Sequence, residues 1–178
     1  MPLRPSAATP PTAYQRALLW LARRDYSLAE LRRALLDRGH AEDEVEAALA
    51  RLRRERYLDD RGYAERFARS GLAHKGIGRL RIRQGLRERG VALKDTDAGI
   101  AAALVEVDER AVLDRLARRY WRQHGQVEPE RRLPRLWVFL LRRGFAPDLV
   151  RERVSRLWPR WRDALGGLAP LEARDEPS

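Results

Sequence analysis

The side chains best suited to chemistry in this sequence are the basic residues between Lys75 and Arg89. This stretch contains six basic side chains and one acid, Glu88. Arginine guanidinium groups form bidentate pairs with phosphates and with carboxylates, so a nucleic acid or an acidic protein surface would suit them equally. If about five or six of these side chains contacted the phosphates of a single strand, the log–log salt slope of binding would be about −4.

Candidate binding residues fall into two basic clusters and one acidic pair. They are Lys75, Arg79, Arg81, Arg83 and Arg87 in the middle of the chain, Arg115, Arg118, Arg119 and Arg122 further on, and the neighbours Asp59 and Asp60. For each basic cluster, the alternative is an arginine face that is solvated and has no partner. For the acidic pair, the alternative to docking a basic partner is capping, because adjacent acids before a helix commonly cap it.

Little in the sequence could support catalysis. The histidines His40, His74 and His124 are isolated, and none has a second metal ligand at helical spacing. Gly76 and Gly78 do not form a phosphate loop, because the Gly-Lys-Ser/Thr ending and the surrounding strand–helix–strand unit are both missing. We therefore predict that the protein is not an enzyme and holds no metal or cofactor. A hydrolase or nuclease would require a metal constellation that these residues do not supply.

Four tryptophans toward the end of the chain have two possible roles. They are Trp121, Trp137, Trp158 and Trp161. Their rings could stack on nucleobases, as aromatic side chains do in proteins that bind single strands. We predict instead that they pack in the core or between units.

Composition favours an anionic partner. The chain has 178 residues, a formal net charge of +11 and 35% charged residues, which is typical of proteins that bind polyanions. Nearly all the positive charge is arginine, and a GC-rich genome would produce the same bias without selection for binding. Cysteine is absent, which is compatible with the cytoplasm, and no apolar run approaches the roughly 20 residues of a membrane span.

A repeated pattern predicts the architecture. Arg-Gly pairs occur three times, at Arg38-Gly39, Arg89-Gly90 and Arg143-Gly144, with spacings of 51 and 54 residues between the glycines. Apolar residues recur at the same distances from each glycine. Eight residues before it stand Leu31, Ile82 and Leu136, four before it Leu35, Leu86 and Leu140, and ten after it Leu49, Ile100 and Val154.

We interpret this pattern as an all-α, elongated and curved array of three tandem three-helix repeats. The predicted repeats span residues 14–57, 58–107 and 108–165, between flexible tails at 1–13 and 166–178. A unit of about 50 residues has a marginal core, so neighbouring repeats should stabilise one another. Local signals agree with helices: Ser27 and Glu30 form a capping-box pattern, Asp108 is a predicted N-cap, and Pro147 fits a first helical turn.

Two blocks in the middle repeat resemble the RecX family, bacterial proteins that modulate the RecA recombinase filament. The first block is matched by Tyr57, Leu58, Asp59, Asp60, Tyr63, Ala64, Phe67 and Ser70. The second is matched by Lys75, Gly76, Gly78, Arg81, Ile82, Leu86, Arg89, Gly90 and Val91. The sequence departs from the family pattern at Arg79, Gly71 and Gly85, which replace a proline, an arginine and a polar residue. The resemblance extends from about Tyr14 to about Trp158.

The resemblance implies a cytoplasmic, non-enzymatic regulator in DNA repair, recombination and the SOS response. Such a protein would bind the RecA–DNA filament and modulate, mainly by inhibition, its recombinase, ATPase and coprotease activities. Direct contact with single- or double-stranded DNA stays open, and we expect a monomer. The alternative is a free-standing DNA-binding helical module, although no polar side-chain set suited to base edges, such as asparagine or glutamine with arginine, stands out on a recognition helix.

Overall fold

The computed structural model describes residues 10–159, and every regular element in that range is helical. This confirms the all-α class. Residues 1–9 of the predicted N-terminal tail, all of the predicted C-terminal tail and Trp161 lie outside the described residues. The α-helices of the described range are α1 (Ala13–Leu21), α2 (Leu28–Asp37), α3 (Glu42–Arg54), α4 (Asp60–Ser70), α5 (Arg79–Glu88), α6 (Leu93–Glu106), α7 (Glu109–Gln123), α8 (Pro129–Arg142) and α9 (Pro147–Leu157). A π-helical turn, Gly71–Lys75, follows α4 directly.

The helix ends follow the signals in the sequence. The Ser27 hydroxyl accepts a hydrogen bond from the Glu30 amide at 3.1 Å, and the Glu30 carboxylate accepts one from the Ser27 amide at 3.1 Å. The Asp108 carboxylate accepts a hydrogen bond from the Arg110 amide at 2.8 Å. The glycines of the three Arg-Gly pairs all have positive φ, between 71° and 88°, which a glycine tolerates at a helix C-terminus.

The described chain divides into two compact units. The first contains the residues up to Arg66 together with Gly85–Gly99. In its core, α1 and α2 pack against α3. The fully buried large side chains of this core are Leu31, Leu35, Val45 and Leu52.

The second unit contains Phe67–Gln84 together with the residues from Ile100 onward. Its core is built from α7, α8 and α9 and includes the fully buried Leu113, Leu136, Leu140, Phe145 and Val150. Three of the four tryptophans lie partly buried against this core, as predicted: Trp121, Trp137 and Trp158. The rings of the first and third are 4.6 Å apart, so they contact each other.

In each unit, two helix ends meet at a contact that we call a junction. The C-terminal end of α5 meets the N-terminal end of α2 in the first unit, and the C-terminal end of α8 meets the N-terminal end of α5 in the second. In the first junction, the Ser27 hydroxyl donates to the Arg89 carbonyl at 2.6 Å, and Gly90 lies against Ala29. The Leu28 amide is capped by the Asp60 carboxylate at 2.8 Å. The serine therefore caps its own helix and also binds the end of α5.

The second junction repeats this arrangement with backbone amides in place of the serine hydroxyl. The Gly78 amide donates to the Arg143 carbonyl at 2.8 Å, and the Leu80 amide donates to the Gly144 carbonyl at 3.0 Å. The Arg79 amide is capped by the carboxylate of Glu109, which is only 7% exposed, at 2.8 Å. A methyl group at Gly78 would lie 2.5 Å from the backbone nitrogen of Phe145, so only glycine allows this approach.

Candidate binding groove

A groove of about 770 Å³ in the second unit combines positive charge with apolar surface. Half of its lining residues are basic: Lys75, Arg81, Arg135, Arg142 and Arg143. The other half are aliphatic or aromatic: Ile77, Tyr120, Pro134, Val138 and Phe139. No acidic residue of the described range 10–159 lines it. Pockets of this size and mixed character are where proteins most often bind ligands or partner side chains.

The second junction positions the basic side chains of the groove. Arg81 lies in the first turn of α5, and its backbone packs directly against Gly144 at the end of α8. Lys75 is the last residue of the π-helical turn, which ends at Gly76 in the left-handed conformation with φ of 58°. π-helical turns are rare and occur frequently at functional sites. One compact backbone arrangement therefore brings together residues that are far apart in sequence.

Backbone carbonyls, rather than acids, hold the guanidinium groups in place. Arg143 donates to the Lys75 carbonyl at 2.8 Å, and its guanidinium carbon lies 5.1 Å from the centre of the Phe139 ring. Arg81 donates to the Arg142 carbonyl at 3.3 Å. Within residues 10–159, the guanidinium groups of Arg135 and Arg142 form no ion pair. The groove therefore keeps its positive charge for an outside partner.

The most exposed apolar side chain of the groove is aliphatic. Val138 is 44% exposed, and Ile77 and Pro134 are partly exposed beside it. The two aromatic rings are already engaged with other groups. The Tyr120 ring stacks on the His124 ring at 4.0 Å and lies 4.9 Å from the Phe139 ring.

The structure separates basic residues that the sequence analysis grouped together. Lys75 and Arg81 line the groove, whereas Arg79 lines a different pocket of about 540 Å³ and lies 3.8 Å from the Glu109 carboxylate. Arg87 belongs to the first unit. Arg83, like the other four, is exposed on its helix. Lys75 and Arg81 therefore share the groove, Arg79 does not line it, and a binding role for all five stays a prediction.

The second predicted cluster lies on α7 and is fully solvent-accessible. Its members are Arg115, Arg118, Arg119 and Arg122, and all four are exposed. Their spacing of three and four residues puts them on one side of the helix. Among the described residues, none of the four forms an ion pair, so the stripe is positive and solvated. Its role in binding stays a prediction.

The acidic pair Asp59 and Asp60 is engaged in helix capping. The Asp59 carboxylate accepts a hydrogen bond from the Arg61 amide at 3.1 Å, which caps α4. Asp60 caps α2 at the first junction and is partly buried, and this burial raises the pKa of its carboxyl group while the bond from the Leu28 amide opposes the rise. Asp108 and Glu109 repeat both contacts in the second unit. A role for the pair in contacting a basic partner stays a prediction.

Sequence reasoning missed Arg135, Arg142 and Val138 as binding residues, and it treated Arg143 only as part of the repeat pattern. One signal was available in α8. Residues 137–141 are five consecutive apolar residues, more than one buried face of a helix can accommodate, so at least one must point outward. Val138 is that residue.

Two further properties bear on the kind of protein this is. Among residues 10–159, no group of histidine, aspartate or glutamate side chains is arranged to hold a metal ion. In the same range, no helix has the length and apolarity needed to span a membrane.

Comparison with known proteins gives consistent matches along the chain. Family models described as the first, second and third three-helix domains of RecX match residues 13–52, 59–105 and 108–153. The sequence is 38% identical to a protein named Regulatory protein RecX from Trichlorobacter lovleyi, over 83% of this chain and 96% of the relative. It is 40% identical to a protein of the same name from Halorhodospira halophila, over 78% of this chain and 84% of the relative.

The fold is also similar to a solved structure. The crystal structure of RecX from Lactobacillus salivarius superposes with a TM-score of 0.72, covering 82% of this chain and 94% of that one. Its sequence identity is 19%, so this similarity concerns the fold alone. The family models and the solved structure together confirm the predicted arrangement of three tandem three-helix repeats.

Proposed function

This chain belongs to the RecX family of regulatory proteins, and from that premise we propose that it binds the RecA–DNA filament and restrains its activities. The activities concerned are strand exchange, ATP hydrolysis and coprotease function in the bacterial cytoplasm. The regulator works by occupying the filament and performs no catalysis of its own.

The observation that carries this proposal is the uncompensated positive groove of the second unit. Five basic side chains surround an aliphatic surface without a neighbouring acid. A nucleoprotein filament presents both phosphates and protein carboxylates, and guanidinium groups bind either one strongly.

The proposed mechanism is competition for contacts within the filament. A bound regulator that bridges neighbouring protomers blocks the entry of a second DNA strand and alters the contacts that support hydrolysis. Inhibition should therefore occur at fewer regulators than RecA protomers, because each bound molecule affects more than one protomer.

The direct test measures ATP hydrolysis by RecA assembled on single-stranded DNA while this protein is added. We expect hydrolysis to fall at substoichiometric ratios, and we expect none from this protein alone. An undiminished rate at an equimolar ratio would reject the proposal.

A binding measurement separates this function from simple DNA binding. The protein is titrated against RecA filaments and against bare DNA of the same sequence at several salt concentrations. The proposal predicts tighter binding to filaments at every salt concentration. Equal binding to bare DNA, with the steep salt slope that counterion release produces, would favour a free-standing DNA-binding module.

A further inference from the structure

The groove of the second unit places two chemical requirements on its occupant. The exposed surface of Val138, together with Ile77 and Pro134, favours an apolar group, because covering it removes hydrocarbon from water. The surrounding guanidinium groups favour negative charge, and those of Arg135 and Arg142 form no ion pair with described residues. The occupant must therefore be apolar at one point and anionic around it.

A nucleic acid meets the second requirement but fits the first poorly. Single-stranded nucleic acids bind such surfaces by stacking bases on flat aromatic rings. In this groove the Tyr120 ring stacks on His124, the Arg143 guanidinium lies over the Phe139 ring, and these two rings contact each other. The most exposed apolar side chain of the groove is Val138, which is aliphatic and branched and suits a side chain such as leucine better than a base.

We propose that this groove binds an acidic segment of a protein partner, with one aliphatic side chain of the segment seated on Val138 and its carboxylates paired with the surrounding arginines. The inference rests on the proposed function, since the partner segment would then lie on the protein part of the RecA filament. It refines that function, because it assigns the groove to a polypeptide and not to DNA.

The second junction explains why the site can bind a partner without reorganising. The backbone of Arg81 packs on Gly144 and so fixes where its side chain begins, and the guanidinium of Arg143 is held by its hydrogen bond to the Lys75 carbonyl. Side chains that are already ordered lose less conformational entropy on binding. The aliphatic contact supplies affinity, and the guanidinium groups orient the segment.

The first part of the test uses a fluorescein-labelled peptide of about twelve residues, made of aspartates and glutamates around one central leucine. Its binding is followed by fluorescence anisotropy with the full-length chain. A matched peptide has glycine in place of the leucine, and oligothymidylate of equal net charge is the nucleic-acid probe. We expect the leucine peptide to bind about tenfold more tightly than the glycine peptide, which corresponds to burial of most of one aliphatic side chain.

The second part uses variants of the groove with a matched control outside it. Val138→Glu and Arg135→Glu should each weaken binding of the leucine peptide about tenfold, the scale of one lost charged or apolar contact. Arg33→Glu makes the same charge change as Arg135→Glu on an exposed arginine of α2 that does not line the groove and forms no ion pair with described residues, and it should change affinity less than about twofold. Circular dichroism verifies that all three variants remain helical.

Three outcomes would overturn the assignment: equal affinity for the leucine and glycine peptides, an equal loss with Arg33→Glu, or tighter oligothymidylate binding that is lost in Val138→Glu. Cosedimentation with RecA filaments distinguishes this failure from failure of the proposed function. If the protein binds filaments but does not prefer the leucine peptide, the groove assignment alone is rejected. Leucine-specific peptide binding without filament binding would reject RecA as the partner and leave the groove assignment standing.

Discussion

In the first unit, α2 is introduced by Ser27 and has Glu30 in its first turn; in the second unit, the corresponding residues of α5 are Gly78 and Arg81. Both helices receive the end of another helix at this point, through carbonyls that accept hydrogen bonds at similar distances. The side chains differ in charge. Glu30 accepts hydrogen bonds from the Ser27 amide and the Tyr63 hydroxyl, whereas Arg81 points its charge into the groove.

This difference in charge also affects the arginine that precedes Gly90 in the first junction and the one that precedes Gly144 in the second. Arg89 lies 3.8 Å from the Glu30 carboxylate, so the first junction carries a compensating acid. Arg143, its counterpart, lies among four other basic groove residues and no acid. The same backbone arrangement therefore serves stability in one unit and leaves charge available for binding in the other.

The largest predicted effect comes from the junction glycines. In Gly144→Ala, the methyl group would lie 2.5 Å from the Arg81 nitrogen, at a φ of 83°, so we expect the free energy of unfolding to fall by about 4 kcal/mol. In Gly90→Ala, the methyl group meets only the Ala29 side chain, and about 2 kcal/mol should be lost. Gly39 has nothing nearby, so Gly39→Ala should cost about 1 kcal/mol, from its φ alone.

Denaturant unfolding of these three variants measures the ranking. Equal losses in all three would mean that only the left-handed backbone matters and that the junctions contribute nothing.

Exchanging charge between the junctions should separate stability from binding. Glu30→Arg removes half of the capping box and the acceptor for Tyr63 and places two arginines together, so about 2 to 3 kcal/mol of stability should be lost. Arg81→Glu removes one weak hydrogen bond to a carbonyl, so the free energy of unfolding of this variant should change by less than about 1 kcal/mol. Its binding to RecA filaments should nevertheless weaken about tenfold, the scale of one lost charge-assisted contact.

Unfolding and filament cosedimentation on the same two preparations provide the check. The comparison fails if Arg81→Glu unfolds the protein or if its filament binding matches that of the wild type.

A smaller effect is expected from the serine of the first junction. Ser27→Ala removes the helix cap and also leaves the Arg89 carbonyl without its donor, so the expected loss is about 2 kcal/mol. Thr12→Ala is the matched control, because Thr12 caps α1 by the same box and makes no junction contact. It should cost about 1 kcal/mol. Thermal unfolding resolves this difference, and equal values would show that the serine acts only as a cap.

The smallest predicted effect is a change in how the free energy of unfolding depends on pH, caused by Tyr63 at the first junction. Burial, with the neighbouring Glu30 charge, raises the pKa of Tyr63 from 10.0 to about 12. The unfolded chain therefore loses this phenol proton before the folded chain does, and stability should fall as the pH rises from about 10 to 12. Tyr63→Phe should be less stable at neutral pH, and the difference should shrink across that interval. A constant difference between wild type and variant, measured by denaturant unfolding across that interval, would contradict this assignment.

The fold could be predicted largely from local signals. Ser27, Glu30 and Asp108 mark helix starts, and the recurring Arg-Gly pairs mark helix ends, because caps depend on residues within a few positions of one another. The helical repeats followed from the spacing of Leu31, Ile82 and Leu136. These features depend on short sequence separations and a fixed period.

The candidate site could be predicted only in part, because it depends on long-range contacts. Arg79 and Arg81 are two residues apart and seemed equivalent in sequence, yet one faces Glu109 and the other faces the groove. Arg142 meets Arg81 across sixty-one residues of sequence, through a junction made of backbone groups. No side-chain pattern could specify that junction, since its central residues are the glycines Gly78 and Gly144.

One measurement tests the central claim most directly: inhibition of RecA filament ATP hydrolysis by an Arg81→Glu, Arg135→Glu double variant, with an Arg118→Glu, Arg122→Glu double variant as control. The account predicts that the groove variant requires at least about tenfold more protein than the wild type for half inhibition, while the α7 variant requires less than about threefold more. Wild-type inhibition by the groove variant, at unchanged protein concentration, would contradict the claim that the positive junction is the binding surface.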